Sequence, residues 1–231
     1  MDEREARTEE LFARLRSTYD LLQKYQDEHH TTGYGCVRSG HCCQVGLQLH
    51  VMECEHLARH LKATLDEAAL KKQIAKLKRA FKDEEYSWTS SIGGMNCALY
   101  ADGCTVYPVR PAICRMYGVV IEADDFCPRE RLAGRSFVYV QPDVDRMVAD
   151  YYRTLDAYGR MYPERDYTVY MPAGVLSFLL DKEELRKLRA STPRKFWKRE
   201  KGYRTQFRPS YRRGASLQTN VKFPFAIPLK R

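Results

Sequence analysis

The distribution of cysteines constrains this chain more than any other feature of its sequence. All 8 lie between residues 36 and 127, and the 104 residues that follow contain none. The 6 histidines also fall early, between residues 29 and 60. Thiolates and imidazoles are the side chains that bind transition metals most readily. Their concentration predicts a metal-binding core in the first part of the chain.

The spacing of the cysteines leaves the type of metal site open. No pair is Cys-x-x-Cys, so a standard zinc finger is not indicated. Adjacent Cys42 and Cys43 fit two metals, or two edges of a cluster, better than one tetrahedral ion. A zinc or iron site with spare thiols, a multinuclear site and an iron–sulfur cluster all fit this pattern. The competing hypothesis, ordinary buried cysteines, is disfavoured because 8 of them fall within 92 residues.

Other side chains are candidates for the surroundings of such a site. A thiolate-rich centre is negatively charged, and Arg110 and Arg115 flank Cys114. These two guanidinium groups are predicted either to offset that charge or to hold an anionic ligand or cofactor. His41 is a candidate for an extra ligand, whereas Cys54 is predicted to be structural.

A second, weaker metal-site hypothesis concerns one predicted helix. His56 and His60 lie one helical turn apart, and Glu53 lies three residues before His56. This spacing can build a carboxylate–histidine site, although it more often marks an ordinary helix face.

Most of the remaining chain is predicted to be helical. Leu11, Leu15, Tyr19 and Leu22 form an apolar stripe on the first helix, and Thr64 to Glu67 have the form of a capping box. Residues 86–96 are predicted to form a loop. The periodicity predicts helices at residues 3–28, 53–61, 66–82, 142–160 and 172–190, and extended segments at 45–51, 136–140 and 167–171.

The second cysteine-rich segment has its own local signals. The Asp-Gly pair at residues 102–103 predicts a tight turn that brings Cys97 and Cys104 towards each other. Pro111 suits the first position of a helix. That helix would carry Cys114 in its first turn, where a helix N-terminus favours a thiolate.

Two blocks of sequence carry a resemblance to a known family. The first, residues 35–43, is Gly-Cys-Val-Arg-Ser-Gly-His-Cys-Cys, and the second, residues 103–115, is Gly-Cys-Thr-Val-Tyr-Pro-Val-Arg-Pro-Ala-Ile-Cys-Arg. Together, over residues 33–130, they resemble the YkgJ-type cysteine-cluster family, described as a zinc- or iron-chelating domain. Its hallmarks are Cys-x-x-Cys-x-x-Cys-Cys and Gly-x-Cys-x-Ile-Tyr-x-x-Arg-Pro-x-x-Cys-Arg. Ser39 stands where the second cysteine is expected, which leaves the first block one thiolate short unless His41 or Cys54 compensates.

The resemblance implies bound zinc or iron, the latter as an ion or as an iron–sulfur cluster. Flagellin lysine N-methylases belong to the same broad family and imply use of S-adenosylmethionine, but the chain has no glycine-rich motif for that cofactor. Whether the protein is an enzyme, with a redox or protein-modifying role, is left open. The predicted metal ligands are Cys36, Cys42, Cys43, Cys97, Cys104, Cys114 and Cys127.

The fold is predicted to be α+β and dominated by helices. A loop-rich cysteine core with short strands, flanked by helices, would occupy a domain of residues 1–190. Residues 191–231 would form a basic extension rich in aromatic side chains. Charge supports this division, because residues 182–231 contain 16 Lys and Arg against 3 Asp and Glu, whereas residues 1–181 are net acidic.

The basic extension carries the alternative functional hypothesis. Residues 194–213 interleave basic side chains with Phe, Trp and Tyr, a mixture typical of surfaces that bind RNA or single-stranded DNA. The chain would then be a metal-stabilised module that binds RNA or a ribonucleoprotein. The same residues would equally suit an acidic protein partner or the acidic part of this chain.

The cellular location follows from what the sequence lacks. It has no run of 18 uncharged apolar residues, and its first five residues are mostly charged. We therefore expect no membrane span and no secretory signal. The expected location is therefore the cytoplasm. Cysteines stay reduced there, which favours metal binding over disulfides.

Overall fold

The computed structural model describes residues 2–29, 47–82, 97–101, 103–116 and 141–191. Within these ranges the fold is dominated by helices, as predicted, with one small sheet. Single 3₁₀ turns lie at Tyr107–Val109 and Pro163–Arg165. In chain order the other elements are α1 (Glu3–His29), β1 (Gln48–His50), α2 (Val51–Thr64), α3 (Glu67–Lys82), α4 (Ala112–Met116), α5 (Gln141–Met161), β2 (Thr168–Tyr170), α6 (Met171–Leu179) and α7 (Lys182–Ala190).

Several predictions fall outside the described residues. These are the cysteine-dense first block, the loop at residues 86–96, the strand at 136–140 and the extension after Ser191. In the described part of the chain, no helix combines the length and the apolar character that crossing a membrane requires.

The buried side chains form two clusters. The aliphatic cluster lies between α2, α3 and α6, and its buried members include Leu49, Leu57, Leu61, Leu77, Val175 and Leu176. The aromatic cluster lies between α1 and α5, and its buried members include Phe12, Leu15, Tyr19, Leu22, Val148 and Tyr158. The predicted stripe on α1 is confirmed, since all four of its residues are buried.

A pair of strands sets α2 beside α6. Strand β1 is antiparallel to β2, with Leu49 opposite Val169, and each strand runs directly into a helix. The His50 ring caps α2, because its Nδ1 accepts a hydrogen bond from the Met52 N–H at 3.1 Å. The close approach of α2 and α6 depends on Gly174. A Cβ there would lie 2.4 Å from the Sγ of Cys54, so a larger residue does not fit without movement.

Two predictions about helix ends are wrong. Residues 172–190 form two helices, because Leu180 is extended and Asp181 begins α7 with a full capping box to Glu184. The capping box assigned to Thr64 is not formed. Thr64 instead ends α2, and the Asp66 carboxylate accepts the Ala69 N–H at 2.8 Å at the start of α3.

Candidate metal centre

The structure describes three of the seven predicted metal ligands. Cys97, Cys104 and Cys114 are half-buried and contact the aliphatic cluster. Cys36, Cys42, Cys43 and Cys127 lie outside the described residues, as do Ser39 and His41. No disulfide joins two of the described cysteines, which include Cys54. Cys54 has no exposed surface and packs in the aliphatic cluster, which is the structural position predicted for it.

A reversal of the chain connects Cys97 with Cys104. Tyr100 pairs with Cys104 in an antiparallel bridge, and the Thr105 N–H donates to the Leu99 carbonyl at 2.9 Å. Gly103 has a φ of 139°, a conformation that favours glycine. The predicted turn is therefore confirmed at the residues described on either side of it.

The segment also makes specific contacts with its surroundings. The Sγ of Cys97 accepts the Leu99 N–H at 3.5 Å. The buried Gln73 side chain on α3 donates to the Ala98 carbonyl at 2.7 Å. The first part of the segment is thus tied to α3 through its backbone.

Cys114 lies in the first turn of a short helix, as predicted. Pro111 immediately precedes α4, and the Cys114 N–H donates to the Pro111 carbonyl at 3.0 Å. Proline suits this place because a helix start needs no N–H donor there and its φ is already helical. Pro111 and this hydrogen bond therefore fix where α4 begins, and with it the position of the Cys114 backbone.

A buried carboxylate holds the start of α4. Glu53, on α2, is only 1% exposed. Its Oε1 accepts the Ala112 N–H at 3.0 Å and the Tyr19 hydroxyl at 2.7 Å. Its Oε2 accepts the Tyr151 hydroxyl at 2.8 Å. Burying a carboxylate is costly in free energy, and hydrogen-bond donors such as these three offset that cost.

The two tyrosines are suited to this donor role. Burial, followed by the nearby Glu53 carboxylate, raises the pKa of Tyr19 and of Tyr151 well above the ordinary value. Both hydroxyls therefore stay protonated and donate to the carboxylate. Glu53 thereby joins α1, α2, α4 and α5 at one point.

Arg110 lies beside α4 and is 3% exposed. Its Nη2 donates to the side-chain oxygens of Gln23, at 2.8 Å, and of Gln26. The guanidinium also stacks on the Tyr107 ring, with its Cζ 4.3 Å from the ring centroid. Its Nε is buried and has no hydrogen-bond partner among the described residues.

Arg115 is equally buried and follows Cys114 directly. Its Nε donates to the Arg110 carbonyl at 3.0 Å, and its Nη2 donates to the Pro108 carbonyl at 2.8 Å. Its Nη1 donates to the Gln23 oxygen at 3.0 Å. Burial, and then the positive charge of Arg110, lower the pKa of Arg115.

In the described part of the chain both guanidinium groups donate to neutral acceptors, and one carboxylate that acts on Arg115 from a distance is that of Asp20. Among the described residues, neither Arg110 nor Arg115 forms an ion pair, and their shared partner Gln23 is neutral. Two buried positive charges therefore lie on either side of Cys114 in the chain. Nearby positive charge favours an anion, either a thiolate or a bound ligand.

The second metal-site hypothesis finds no support in the contacts of the described residues. Glu53 is occupied by its three donors, and the His56 ring stacks on Phe12 with 5.7 Å between ring centroids. Its centroid lies 5.9 Å from that of Tyr19. Across the described ranges, no three His, Cys, Asp or Glu side chains form a group that can hold a metal. Cys97, Cys104 and Cys114 are among these side chains, so the described structure does not bring the three thiols together into such a group.

Sequence reasoning missed the residues that position this segment. Glu53 was considered as a ligand, and Gln23 and Gln26 carried no signal at all. One clue was available, because Glu53 lies on the face of α2 that Leu57 and Leu61 make apolar. A carboxylate on such a face needs buried donors.

No protein-family model, curated protein or solved structure matches this chain. The resemblance to the cysteine-cluster family accordingly stays a prediction that rests on the two sequence blocks.

Proposed function

We propose that this chain is a metalloprotein of the cysteine-cluster type. Cys97, Cys104 and Cys114 would bind zinc or iron, as an ion or an iron–sulfur cluster, together with the four predicted ligands outside the described residues. The observation that carries the proposal is the pair of buried guanidinium groups, Arg110 and Arg115, beside Cys114 without an ion pair among the described residues.

The argument is one of charge. Burying a guanidinium without a counter-charge is costly, and two close together add mutual repulsion. A divalent ion bound by four thiolates carries a net negative charge. Such a centre at Cys114 would offset both arginines and would keep its thiolates deprotonated. The two arginines would lie beside the centre and balance its charge, and Gln23 and the backbone carbonyls would hold them in place.

The cysteines differ in a way that fits this role. Cys54 is fully buried and fills space against Gly174. The other three described cysteines are only half-buried, unlike Cys54. A reducing compartment such as the cytoplasm would keep the cysteines available as thiolates for a metal.

The test is metal analysis of protein purified without oxygen, together with an absorption spectrum. Stoichiometric zinc in a colourless protein, or iron with sulfide and a broad visible band, would support the proposal and decide between the metals. We expect Cys114→Ser and Cys42→Ser each to lower the bound metal, because each removes a thiolate.

Cys54→Ala is the matched control, since it removes a thiol that the structure places in the apolar interior. It should keep the full metal content. If Cys114→Ser and Cys42→Ser both retain the metal, or if the wild-type protein holds none under any loading condition, the proposal fails.

The alternative, RNA binding through the basic extension, rests on sequence alone. Residues 194–213 lie outside the described part of the chain. No contact in the described residues favours that function over the metal centre.

A further inference from the structure

A second buried carboxylate on α2 provides a comparison for Glu53. Glu55 is 7% exposed, and its Oε2 accepts the Tyr158 hydroxyl at 2.6 Å and the Arg165 Nη1 at 3.2 Å. Its Oε1 accepts the Arg59 guanidinium. Both carboxylates thus bind a tyrosine of α5, and the two tyrosines are seven residues apart on that helix.

The two carboxylates differ in what else they hold. Glu55 pairs with two arginines and joins α2 to α5 and the 3₁₀ turn at Pro163–Arg165. Glu53 has no arginine partner among the described residues. Its third donor is the Ala112 N–H, at the start of the helix that carries Cys114. Only one of these carboxylates therefore touches the cysteine segment.

The Glu53 contacts also reach Cys114 through its neighbours. Tyr19 donates to Glu53, and the Arg115 guanidinium lies over the Tyr19 ring with its Cζ 4.9 Å from the centroid. Arg115 in turn donates to Gln23 on α1. The residues on both sides of Cys114 are thus held by one connected network.

We propose that Glu53 is a positioning residue, which holds the Cys114 helix at a fixed place between α1 and α5. Without the carboxylate, the Ala112 N–H is unpaired and α4 can shift away from α2. The inference that this sets the geometry of Cys114 for a metal rests on the proposed function. The positioning itself does not, because it concerns contacts of the metal-free chain.

The experiment compares Glu53→Gln with Glu55→Gln. Each variant removes one buried carboxylate of the same helix, and each amide has a single acceptor oxygen in place of two, so the donors that the carboxylate held can no longer all be satisfied. The first measurement, on metal-free protein, is the alkylation rate of each cysteine by iodoacetamide, read by mass spectrometry of peptides. We expect Glu53→Gln to raise the rate at Cys114 several-fold relative to Cys97, and Glu55→Gln to leave that ratio unchanged.

The second measurement is the affinity for Zn²⁺ in competition with a chelator of known strength. Residues that orient metal ligands typically change metal affinity by about 10–100-fold when substituted. We expect Glu53→Gln to weaken Zn²⁺ binding by about 10-fold or more on this basis, and Glu55→Gln to change it little.

A milder pair keeps the test decisive if Glu53→Gln does not fold. Tyr151→Phe and Tyr158→Phe each remove a single hydroxyl from Glu53 or Glu55. Only Tyr151→Phe should raise the relative alkylation of Cys114. Equal effects of both members of a pair, or an unchanged Cys114 rate in Glu53→Gln, would overturn the positioning role. A wild-type protein that binds no metal would refute the proposed function while leaving the alkylation result valid.

Discussion

The two core clusters differ in the kinds of side chain that they bury. The aliphatic cluster around α2, α3 and α6 is built mainly from Leu, Val and Ala side chains, and Gly174 shows that it packs with close steric fit. The aromatic cluster between α1 and α5 includes tyrosines whose hydroxyls are buried with them. Those hydroxyls converge on Glu53 and Glu55, on the helix between the clusters.

The difference shows where a candidate metal centre can be built. Cys97, Cys104 and Cys114 contact the aliphatic cluster, whereas Ala112 belongs to the aromatic one. An apolar surface can support a thiol but cannot fix its direction. The hydrogen bonds of the aromatic side supply that direction, because they act at defined distances and angles. The cysteine segment therefore needs both clusters.

The largest expected effect tests the aliphatic cluster. Leu176→Ala removes a side chain with no exposed surface and leaves a cavity, so we expect a loss of about 2–5 kcal/mol in the free energy of unfolding. Urea denaturation followed by circular dichroism measures it. Leu21→Ala, at a leucine that is 48% exposed, is the control and should change stability by less than about 0.5 kcal/mol. Similar losses in both variants would contradict the proposed core.

The next largest effect is a pH dependence of stability that comes from His56, which stacks on Phe12 of the aromatic cluster. Burial first, and then the positive charge of Arg16, lower the pKa of His56 from 6.5 to about 4. In the unfolded chain His56 is protonated below pH 6.5, whereas in the folded chain it stays neutral down to about pH 4. The free energy of unfolding should therefore decrease as the pH is lowered through this window, by on the order of 3 kcal/mol.

His56→Phe keeps a ring against Phe12 but cannot be protonated. The difference in unfolding free energy between the variant and the wild type should therefore grow in the variant's favour from pH 7 to pH 4.5. Parallel pH profiles of the two proteins would contradict a neutral, buried His56.

A smaller effect tests steric fit between α2 and α6. Gly174→Ala would place a Cβ 2.4 Å from the Sγ of Cys54 and 2.6 Å from the Cγ1 of Val169, and should cost about 1–3 kcal/mol. Adding Cys54→Ala removes one of the two clashes, so part of the loss should be recovered in a double-mutant cycle.

Gly159→Ala is the matched control for that cycle. Its Cβ would meet the side chain of Asp166, which is 59% exposed and can turn towards solvent at the cost of its contact with His50. It should cost clearly less than Gly174→Ala. An additive double mutant would show that Cys54 is not the group that limits the approach of the two helices.

Local pattern predicted most of the helices. Leu15 and Tyr19 on α1, and Val148 and Tyr151 on α5, recur at helical spacing and are all buried. Such periodicity arises because one face of each helix is covered, and it is visible without knowing what covers it. The break before α7 was missed because the apolar run through Leu180 masked the capping signal of Asp181 and Glu184.

The sequence alone determined which groups are available for chemistry. The clustered cysteines, the turn before Cys104 and the proline before α4 are all local features. Tertiary structure alone decided what holds them. Glu53 meets Tyr19, Ala112 and Tyr151 across 34, 59 and 98 residues of chain. A hydrogen bond is set by distance and direction in space. No local pattern can record which donors will surround a carboxylate once four helices have packed around it.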